Sequence, residues 1–409
     1  MIAIKLRAGV VLAAVAVLAA TSSGAVGQTK YDTGANDTEI KIGNIMPYSG
    51  PVSAYGVMGK VEAAYFNKIN AEGGINGRNI SFISYDDAYS PPKAVEQARK
   101  LVESDEVLLI FNAMGTPSNS AIQKYLNGKK VPQLFLGSGA TRWNNPKQYP
   151  WSMGFNPSYQ SEAQIYAKAI LADRPDAKIA VLYQNDDLGK DYLEGLKAGL
   201  GDKAAKMVVS EVSYELAEPT IDSKILKIRD AGADLFFSAS TPKQAAQAIK
   251  KIAELDWHPV HIVDINANSV GAVLKPAGLG ASKGIISVGY VKDPSEASFK
   301  DDPGMQRYLA FMAKYFPEGD RYSSLNVYGY ITSQLLVQVL KACGDDLTRD
   351  NVLKQATHLD KVELDLLLPG ITVSTAPNDY RVNKQLQMVR FDGERWRPFG
   401  SIITDEAKE

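Results

Sequence analysis

The chain has 409 residues, of which 45% are hydrophobic and 22% charged, as in an ordinary globular protein of two or three domains. Its 45 basic and 46 acidic residues give a net charge of −1 at pH 7, which argues against the concentrated basic patch of a nucleic-acid-binding protein. The single cysteine, Cys343, excludes an intramolecular disulfide, and its place on an apolar helical pattern predicts a buried, inert thiol.

The first residues predict an export signal. Lys5 and Arg7 precede an apolar run at 8–20, and small residues follow as far as Gly27. The run is too short for a transmembrane helix, which needs about 20 apolar residues. We therefore expect residues 1–27 to be a signal peptide, cleaved near Gly27, and the mature protein to lie in the periplasm.

Residues 40–78 predict a strand, a loop and a helix. The apolar run 40–46 indicates the strand, and the prolines and glycine of 47–51 indicate a turn. Apolar residues then recur at three- and four-residue steps over 57–69, the spacing of a helix. In an open parallel sheet, the loop after such a strand lies at the carboxyl edge, where ligands bind. Tyr55 ends this loop and is therefore a candidate ligand contact.

Strand-like and helix-like patterns alternate along the rest of the chain. A long helix is predicted at 323–342, and a hairpin at 387–401 turns at Asp392-Gly393. Such alternation predicts an α/β fold with parallel sheets covered on both faces, and the strands are too many for one ordinary sheet. We therefore expect two Rossmann-like lobes. Further strands are predicted at 80–85, 107–112, 131–136, 178–183, 207–212, 235–238, 261–265 and 285–290.

Four short motifs stand in order within residues 40–78. They are Ile40-Lys41-Ile42-Gly43, the Pro-Tyr-Ser-Gly-Pro turn at 47–51, Tyr55-Gly56, and Ile-Asn-Ala-Glu-Gly-Gly-Ile-Asn-Gly-Arg at 69–78. Together they resemble the type I periplasmic solute-binding proteins of the branched-chain amino-acid ABC transporter family. The resemblance implies two lobes joined by a hinge that the chain crosses more than once. It also implies an inner-membrane ABC permease as the partner of a protein that we expect to be a monomer.

The resemblance also divides the chain between the two lobes. We expect the chain to leave the first lobe near residues 151–156 and to return to it later. Lobe 1 is then expected to comprise 38–154 plus 286–378, and lobe 2 to comprise 155–285 plus 379–405.

Loops at the carboxyl ends of the strands are expected to meet in the cleft between the lobes. In the family, the equivalents of the loops at 114–116 and 138–143 hold the ligand's carboxylate with backbone N–H groups and a hydroxyl. Glycine allows close backbone approach, and short fixed donors bind an anion without a lysine. The candidate ligand-binding residues are Tyr55, Gly115, Thr116, Gly139, Ala140, Thr141, Trp143, Leu188, Ser240, Asn266 and Tyr290.

The second lobe departs from the family pattern at two positions. Amino-acid binders carry an acidic residue for the ligand's ammonium where this chain has Asn266, and often a tyrosine where it has Leu188. Asp264 lies either on the same side as Asn266 or beneath the cleft. A buried cation without a partner is costly, so we expect a carboxylate ligand with an uncharged, aromatic body, on which Trp143 and Tyr290 stack. This resembles the aromatic-acid and phenylpropanoid binders of the family; the alternative ligand is a branched-chain or other aliphatic amino acid.

The sequence shows no recognisable catalytic motif. The Gly-Ser-Gly at 137–139 is not a nucleophile elbow, and 280–284 lacks the spacing of a P-loop. His258 and His261, on a turn into a strand, point to different sides and are expected to be structural. We therefore predict a binding protein without a cofactor or a metal, rather than a periplasmic enzyme. A sensory receptor that presents its ligand to a membrane protein would have the same sequence features.

Overall fold

The computed structural model describes residues 30–405, and the predicted signal peptide at 1–27 lies outside the described residues. Within 30–405, helices alternate with strands that form three sheets. In chain order, the strands are β1 Lys30–Tyr31, β2 Glu39–Met46, β3 Asn79–Asp86, β4 Leu109–Phe111, β5 Gln133–Leu136, β6 Ser152–Gly154, β7 Ile179–Gln184, β8 Val208–Tyr214, β9 Leu235–Ala239, β10 Val260–Val263, β11 Ile286–Gly289, β12 Asp346–Leu347, β13 Gln385–Phe391 and β14 Trp396–Thr404.

The helices cover the faces of these sheets. None of the helices within residues 30–405 is both long and apolar enough to cross a membrane. In chain order, they are α1 Gly56–Ala71, α2 Pro91–Glu103, α3 Thr116–Lys129, α4 Tyr159–Asp173, α5 Asp187–Leu200, α6 Ala204–Met207, α7 Asp222–Asp230, α8 Pro242–Glu254, α9 Lys275–Ala277, α10 Leu279–Ser282, α11 Pro303–Tyr315, α12 Ser324–Ala342 and α13 Arg349–Ala356.

Lobe 1 is built on a parallel sheet of five strands in the order β3-β2-β4-β5-β6. Strands β4 and β5 are buried along their whole length, because helices cover both faces of the sheet. This burial explains why both strands consist of apolar or uncharged residues only. The long helix α12 returns to this lobe, as predicted, and packs against α1. Gly329 allows the close approach, since a Cβ there would lie 3.0 Å from the carbonyl oxygen of Met58.

Lobe 2 is built on a sheet of seven strands in the order β14-β13-β11-β10-β9-β7-β8. The strands from β8 to β11 run parallel, and the hairpin β13–β14 is added antiparallel at the edge, which confirms the predicted hairpin. The predicted lobe boundary at residue 286 is corrected by this pairing. Strand β11 pairs with β10 and β13, so residues 286–289 belong to lobe 2 and not to lobe 1. The other lobe limits stay a prediction.

The chain passes between the lobes three times, in the segments 155–158, 290–302 and 357–384, which connect elements of different sheets. This interleaving brings the carboxyl ends of the strands of both sheets toward one cleft. Cys343, at the end of α12, is 5% exposed, and burial raises the pKa of its thiol to about 12. The expectation of a buried, inert thiol is therefore confirmed.

Candidate ligand-binding cleft

A cavity of about 100 Å³ lies between the two lobes, at the carboxyl ends of their strands. Loops that follow most of the parallel strands contribute to it, as the geometry of open α/β sheets favours. Its walls are mainly aromatic and aliphatic side chains, and no charged side chain within residues 30–405 lines it. The tyrosines in the wall are Tyr55, Tyr89, Tyr159, Tyr290 and Tyr328.

Several of the residues singled out from the sequence meet in this cavity. Lobe 1 contributes the residue at the end of the first loop and two residues that begin α3, and lobe 2 contributes the start of α5 and the loops after β10 and β11. The predicted residues that line the cavity are Tyr55, Gly115, Thr116, Leu188, Asn266 and Tyr290.

The other predicted residues do not line this cavity. Gly139, Ala140, Thr141 and Trp143 line a separate, larger cavity of about 760 Å³ on the side of α4. The indole N–H of Trp143 donates to Ser138 Oγ at 2.7 Å, so the ring is tied to its own loop and is not placed to stack on a ligand in the central cavity. Ser240 is fully buried and bonds to Ser238 and Asp264.

Most of the backbone donors predicted to hold an anion are paired within the protein. The N–H of Gly115 donates to the carbonyl oxygen of Gly137 at 3.1 Å. The N–H of Thr141 donates to Asp191 Oδ2 at 2.7 Å, and its hydroxyl donates to Asp191 Oδ1 at 2.9 Å. Thr116, whose hydroxyl lies 2.7 Å from Ser138 Oγ, is the predicted hydroxyl donor that lines the cavity.

Asn266 joins the two lobes at the floor of the cavity. Its amide nitrogen donates to Asp264 Oδ1 at 2.8 Å and to the hydroxyl of Tyr192 at 3.0 Å. Its amide oxygen accepts from Asn156 Nδ2 at 2.9 Å, and its backbone carbonyl accepts from the Tyr55 hydroxyl at 2.9 Å. The Asn266 amide is thus held in one orientation by partners on several elements.

Asp264 lies beneath the cleft, which settles the alternative that the sequence left open. It is fully buried, it does not line the cavity, and it accepts from the N–H groups of Ser240 and Asn266. Burial raises the pKa of Asp264 to about 7. Burial, with the nearby Asp264 charge, raises the pKa of Glu162 to about 8, although Glu162 accepts from Tyr166 and Tyr192. Two carboxyl groups without a cationic neighbour therefore lie one layer behind Asn266.

Three contacts hold the lobes together around the cavity. Besides the Tyr55–Asn266 bond, they are the Thr141 bonds to Asp191 on α5 and an ion pair of Arg142 Nη1 with Asp187 Oδ2 at 2.7 Å. All three join a loop of lobe 1 to an element of lobe 2. The structure therefore shows the cleft in a closed arrangement.

The two histidines near β10 do not form a site. His258 is exposed beside Asp256, whereas His261 is 8% exposed and packs on the ring of Phe236 at 4.8 Å. Burial lowers the pKa of His261 to about 3. No group of three or more histidine, cysteine or acidic residues that could hold a metal occurs within 30–405.

Several residues that line the cavity were not predicted. Tyr89 follows the strand β3, so the rule for carboxyl ends of parallel strands could have found it. Tyr328 and Leu325 come from α12, far along the chain, and no local pattern marks them. Other lining residues that were not predicted include Met58, Asn156, Pro157, Tyr159, Asn268, Val291 and Ser324.

Comparisons with known proteins agree with this architecture. The curated Leu/Ile/Val-binding protein homolog 7 of Brucella abortus (strain 2308) is 25% identical over 382 residues, covering 90% of this chain and 91% of that protein. A branched-chain amino acid ABC transporter structure from Thermus thermophilus with bound valine has a TM-score of 0.81 at 14% identity, over 90% of this chain and 97% of that one. A solute binding protein of an ABC transporter from Rhodopseudomonas palustris BisB5, in complex with 3,4-dihydroxy benzoic acid, has a TM-score of 0.75 at 20% identity, over 90% of this chain and 98% of that one.

The family model described as periplasmic binding protein matches residues 39–395, which is most of the chain. That family consists of extracytoplasmic substrate-binding proteins that work with ABC transporter permeases. This chain belongs to the periplasmic binding protein family and is a solute-binding receptor of the ABC transporter type.

Proposed function

We propose that this receptor captures a small carboxylate with an aromatic body and delivers it to an inner-membrane ABC permease. The composition of the cavity wall carries the proposal. Five tyrosines, two methionines and two leucines surround the space, and no Asp, Glu, Lys or Arg of the described part of the chain lines it. Tyrosine faces and methionine sulfur atoms pack favourably on an aromatic ring. The chemistry of the wall therefore favours a neutral, flat body over a charged one.

The acid end of the solute is proposed to lie at Thr116 and Tyr159. The Tyr159 hydroxyl lies close to Thr116 and Ser138, and burial raises the pKa of this phenol, so it stays protonated and can donate. Hydroxyl donors of this kind can stabilise a carboxylate where no basic side chain is present. In this arrangement, Thr116 keeps the role that the sequence predicts for it.

The remainder of the solute is proposed to extend along Tyr290 and Tyr328 toward lobe 2. An α-ammonium group in the cavity would face the Asn266 amide, because Asp264 and Glu162 lie behind it. Burying a cation without an anionic partner costs several kcal/mol. This cost argues for a solute that carries no ammonium.

Capture is proposed to proceed by closure of the lobes. The solute binds one lobe of the open form, and closing adds the interlobe contacts of Tyr55, Thr141 and Arg142. Those contacts exist only in the closed arrangement, so a solute that bridges the lobes shifts the population toward it.

A binding panel with a matched pair of variants tests the proposal. Isothermal titration calorimetry with benzoate, 4-hydroxybenzoate, 3,4-dihydroxybenzoate, cinnamate, L-leucine and L-valine is expected to show binding of aromatic acids only. Thr116→Val removes one hydroxyl and is expected to weaken the acid's Kd about tenfold or more, since a hydrogen bond to a charged group contributes roughly 1.5–3 kcal/mol. Thr116→Ser keeps the hydroxyl and is the control. Binding of amino acids alone would overturn the proposal.

A second candidate, an aliphatic amino acid, is supported by the two uncompensated carboxyl groups behind Asn266. An ammonium held near them would lower their pKa values, and binding would then release protons near pH 7. Calorimetry in two buffers of different ionisation enthalpy measures this release. We expect none for an aromatic acid; proton release that accompanies tight leucine binding would favour the second candidate.

A further inference from the structure

A second cavity adjoins the central one on its lobe 2 side. It measures about 70 Å³ and shares four lining residues with the central cavity. The shared residues are Asn268, Gly289, Val291 and Ser324. Because one set of residues borders both spaces, the two cavities meet at a common junction. We name the second space the outer chamber.

The outer chamber has mainly apolar walls. The apolar part of the wall includes Val270, Val288, Val389 and Trp396, and Tyr322, which is 50% exposed, lines the chamber as well. Two charged residues, Lys292 and Asp293, also border it. These side chains come from the loop after β10, from β11 and from the terminal hairpin. The chamber therefore suits an uncharged extension of a solute and not its acid end.

Two polar residues around the outer chamber, Asn268 and Lys292, already have protein partners. Asn268 Nδ2 donates to Ser287 Oγ at 3.2 Å and to the carbonyl oxygen of Val288 at 3.1 Å. The carbonyl oxygen of Asn268 accepts from the indole of Trp396 at 2.9 Å. Lys292, at the far wall, is paired with Asp302 at 2.8 Å. An apolar chain can pass these groups without leaving any of them unpaired, which avoids the cost of an unsatisfied buried polar group.

Gly289 leaves the junction open. It ends β11, and a Cβ built on it would meet only Val389 Cγ1, at 3.6 Å, which is ordinary van der Waals contact. A side chain at this position would therefore be tolerated by the fold and would occupy the space between the two cavities.

The central cavity alone is small for a ring with substituents. It measures about 100 Å³, whereas an engineered cavity of about 150 Å³ is known to hold benzene. A solute with a ring and an acid end must therefore use space beyond the central walls, and the outer chamber adjoins those walls.

We propose that the outer chamber is a subsite of the solute site, and that the solute is an aryl carboxylate longer than one ring. The acid end lies at Thr116, the ring lies among the tyrosines, and an apolar extension passes Gly289 into the outer chamber. This inference rests on the proposed function for the identity of the acid end, but the subsite itself depends only on the geometry of the junction.

A homologous series of solutes tests the subsite. Kd values are measured by calorimetry for benzoate, 4-methylbenzoate, 4-ethylbenzoate and 4-propylbenzoate. Each added methylene is expected to tighten binding roughly fourfold, since burying a methylene contributes about 0.8 kcal/mol. In Gly289→Val, this gain in affinity per methylene is expected to disappear, whatever the change in the Kd of benzoate itself, because Gly289 also borders the central cavity. Gly289→Ala is expected to show an intermediate gain.

Tyr322→Ala provides a second variant at a half-exposed position that leaves the core intact. It opens the chamber to water, and the gain per methylene is expected to fall. Equal Kd values across the series in the parent protein, or an unchanged gain in both Gly289→Val and Tyr322→Ala, would overturn the subsite. If no benzoate binds, the proposed function fails, and the series is repeated with alanine, 2-aminobutyrate, norvaline and norleucine. A gain in affinity per methylene that disappears in Gly289→Val then supports the outer chamber as a subsite. A gain that is unchanged in Gly289→Val overturns the subsite.

Discussion

At the scale of single residues, Asn266 decides what the cleft presents to a solute. It lines the cavity and donates to Asp264, which lies behind it and does not line the cavity. The carboxyl groups of Asp264 and Glu162 are buried without a cation, so their charge is stabilised only by hydrogen bonds. The protein therefore retains acidic groups near the site, but the cavity itself is neutral.

These two carboxyl groups predict how stability depends on pH. Their pKa values in the folded protein, about 7 for Asp264 and about 8 for Glu162, lie above the ordinary values of 3.8 and 4.5. The folded state therefore binds more protons than the unfolded state between about pH 4 and pH 8. Stability is fully present below this window and is lost as pH rises through it. We expect the denaturation midpoint to be higher at pH 5 than at pH 8.

The prediction is checked by urea denaturation across that pH range. Asp264→Asn removes one titrating group and is expected to flatten the fall in stability between pH 5 and pH 8. Glu394→Gln, at an exposed turn, is the matched control and is expected to leave the slope unchanged. A midpoint that rises between pH 5 and pH 8 in the parent protein would contradict the assignment.

At the scale of elements, helix α5 connects the two lobes through its acidic side chains. Asp191 accepts two hydrogen bonds from Thr141, and Asp187 pairs with Arg142, which Ser120 and Gln123 of α3 also hold. Helix α5 therefore binds the loop at 138–143, which the sequence predicted to contact the ligand. This explains why Thr141 contacts lobe 2 and not the central cavity.

We expect Asp191→Asn to weaken solute binding although Asp191 does not line the central cavity. The substitution removes the charge that strengthens both bonds to Thr141, so the closed arrangement loses stability relative to the open one. The expected result is a severalfold higher Kd, mainly through faster dissociation, measured by stopped-flow fluorescence. Glu194→Gln, on an exposed face of the same helix, is the control and is expected to bind as the parent does. An unchanged dissociation rate in Asp191→Asn would show that the contact does not stabilise closure.

At the scale of the whole molecule, the three connecting segments allow the lobes to move as separate bodies. Each lobe has its own sheet and its own covering helices, and the cleft lies between them. Rotation about a few connecting residues is the usual way in which such two-lobed receptors open and close. The cavity is enclosed only because both lobes contribute walls to it.

A saturating solute is expected to reduce the radius of gyration measured by small-angle X-ray scattering. The physical reason is that the solute bridges the lobes and favours the compact, closed form. Asp191→Asn is expected to be more open without solute and to reach the same closed value at higher solute concentration. If the parent protein gives identical scattering with and without a solute that binds, closure does not accompany capture.

The sequence by itself determined the order of the elements and much of the cleft. Apolar runs followed by glycine-rich turns mark the ends of parallel strands, and those ends must meet at one edge of each sheet. Strand-end geometry points to Tyr55, and the resemblance to the family adds Gly115, Thr116, Leu188 and Asn266; all five line the cavity.

Only the tertiary structure decided which side chains complete the wall and which donors stay available. Tyr328 lines the cavity because α12 returns to lobe 1. Strand β11 belongs to lobe 2 because it pairs with β10 and β13. Thr141 is taken by Asp191 because α5 approaches its loop. Local sequence patterns indicate how a segment lies in its own sheet. The contacts of Tyr328, β11 and Thr141 depend instead on how segments that are distant in the chain pack together, and no short stretch of sequence determines that packing.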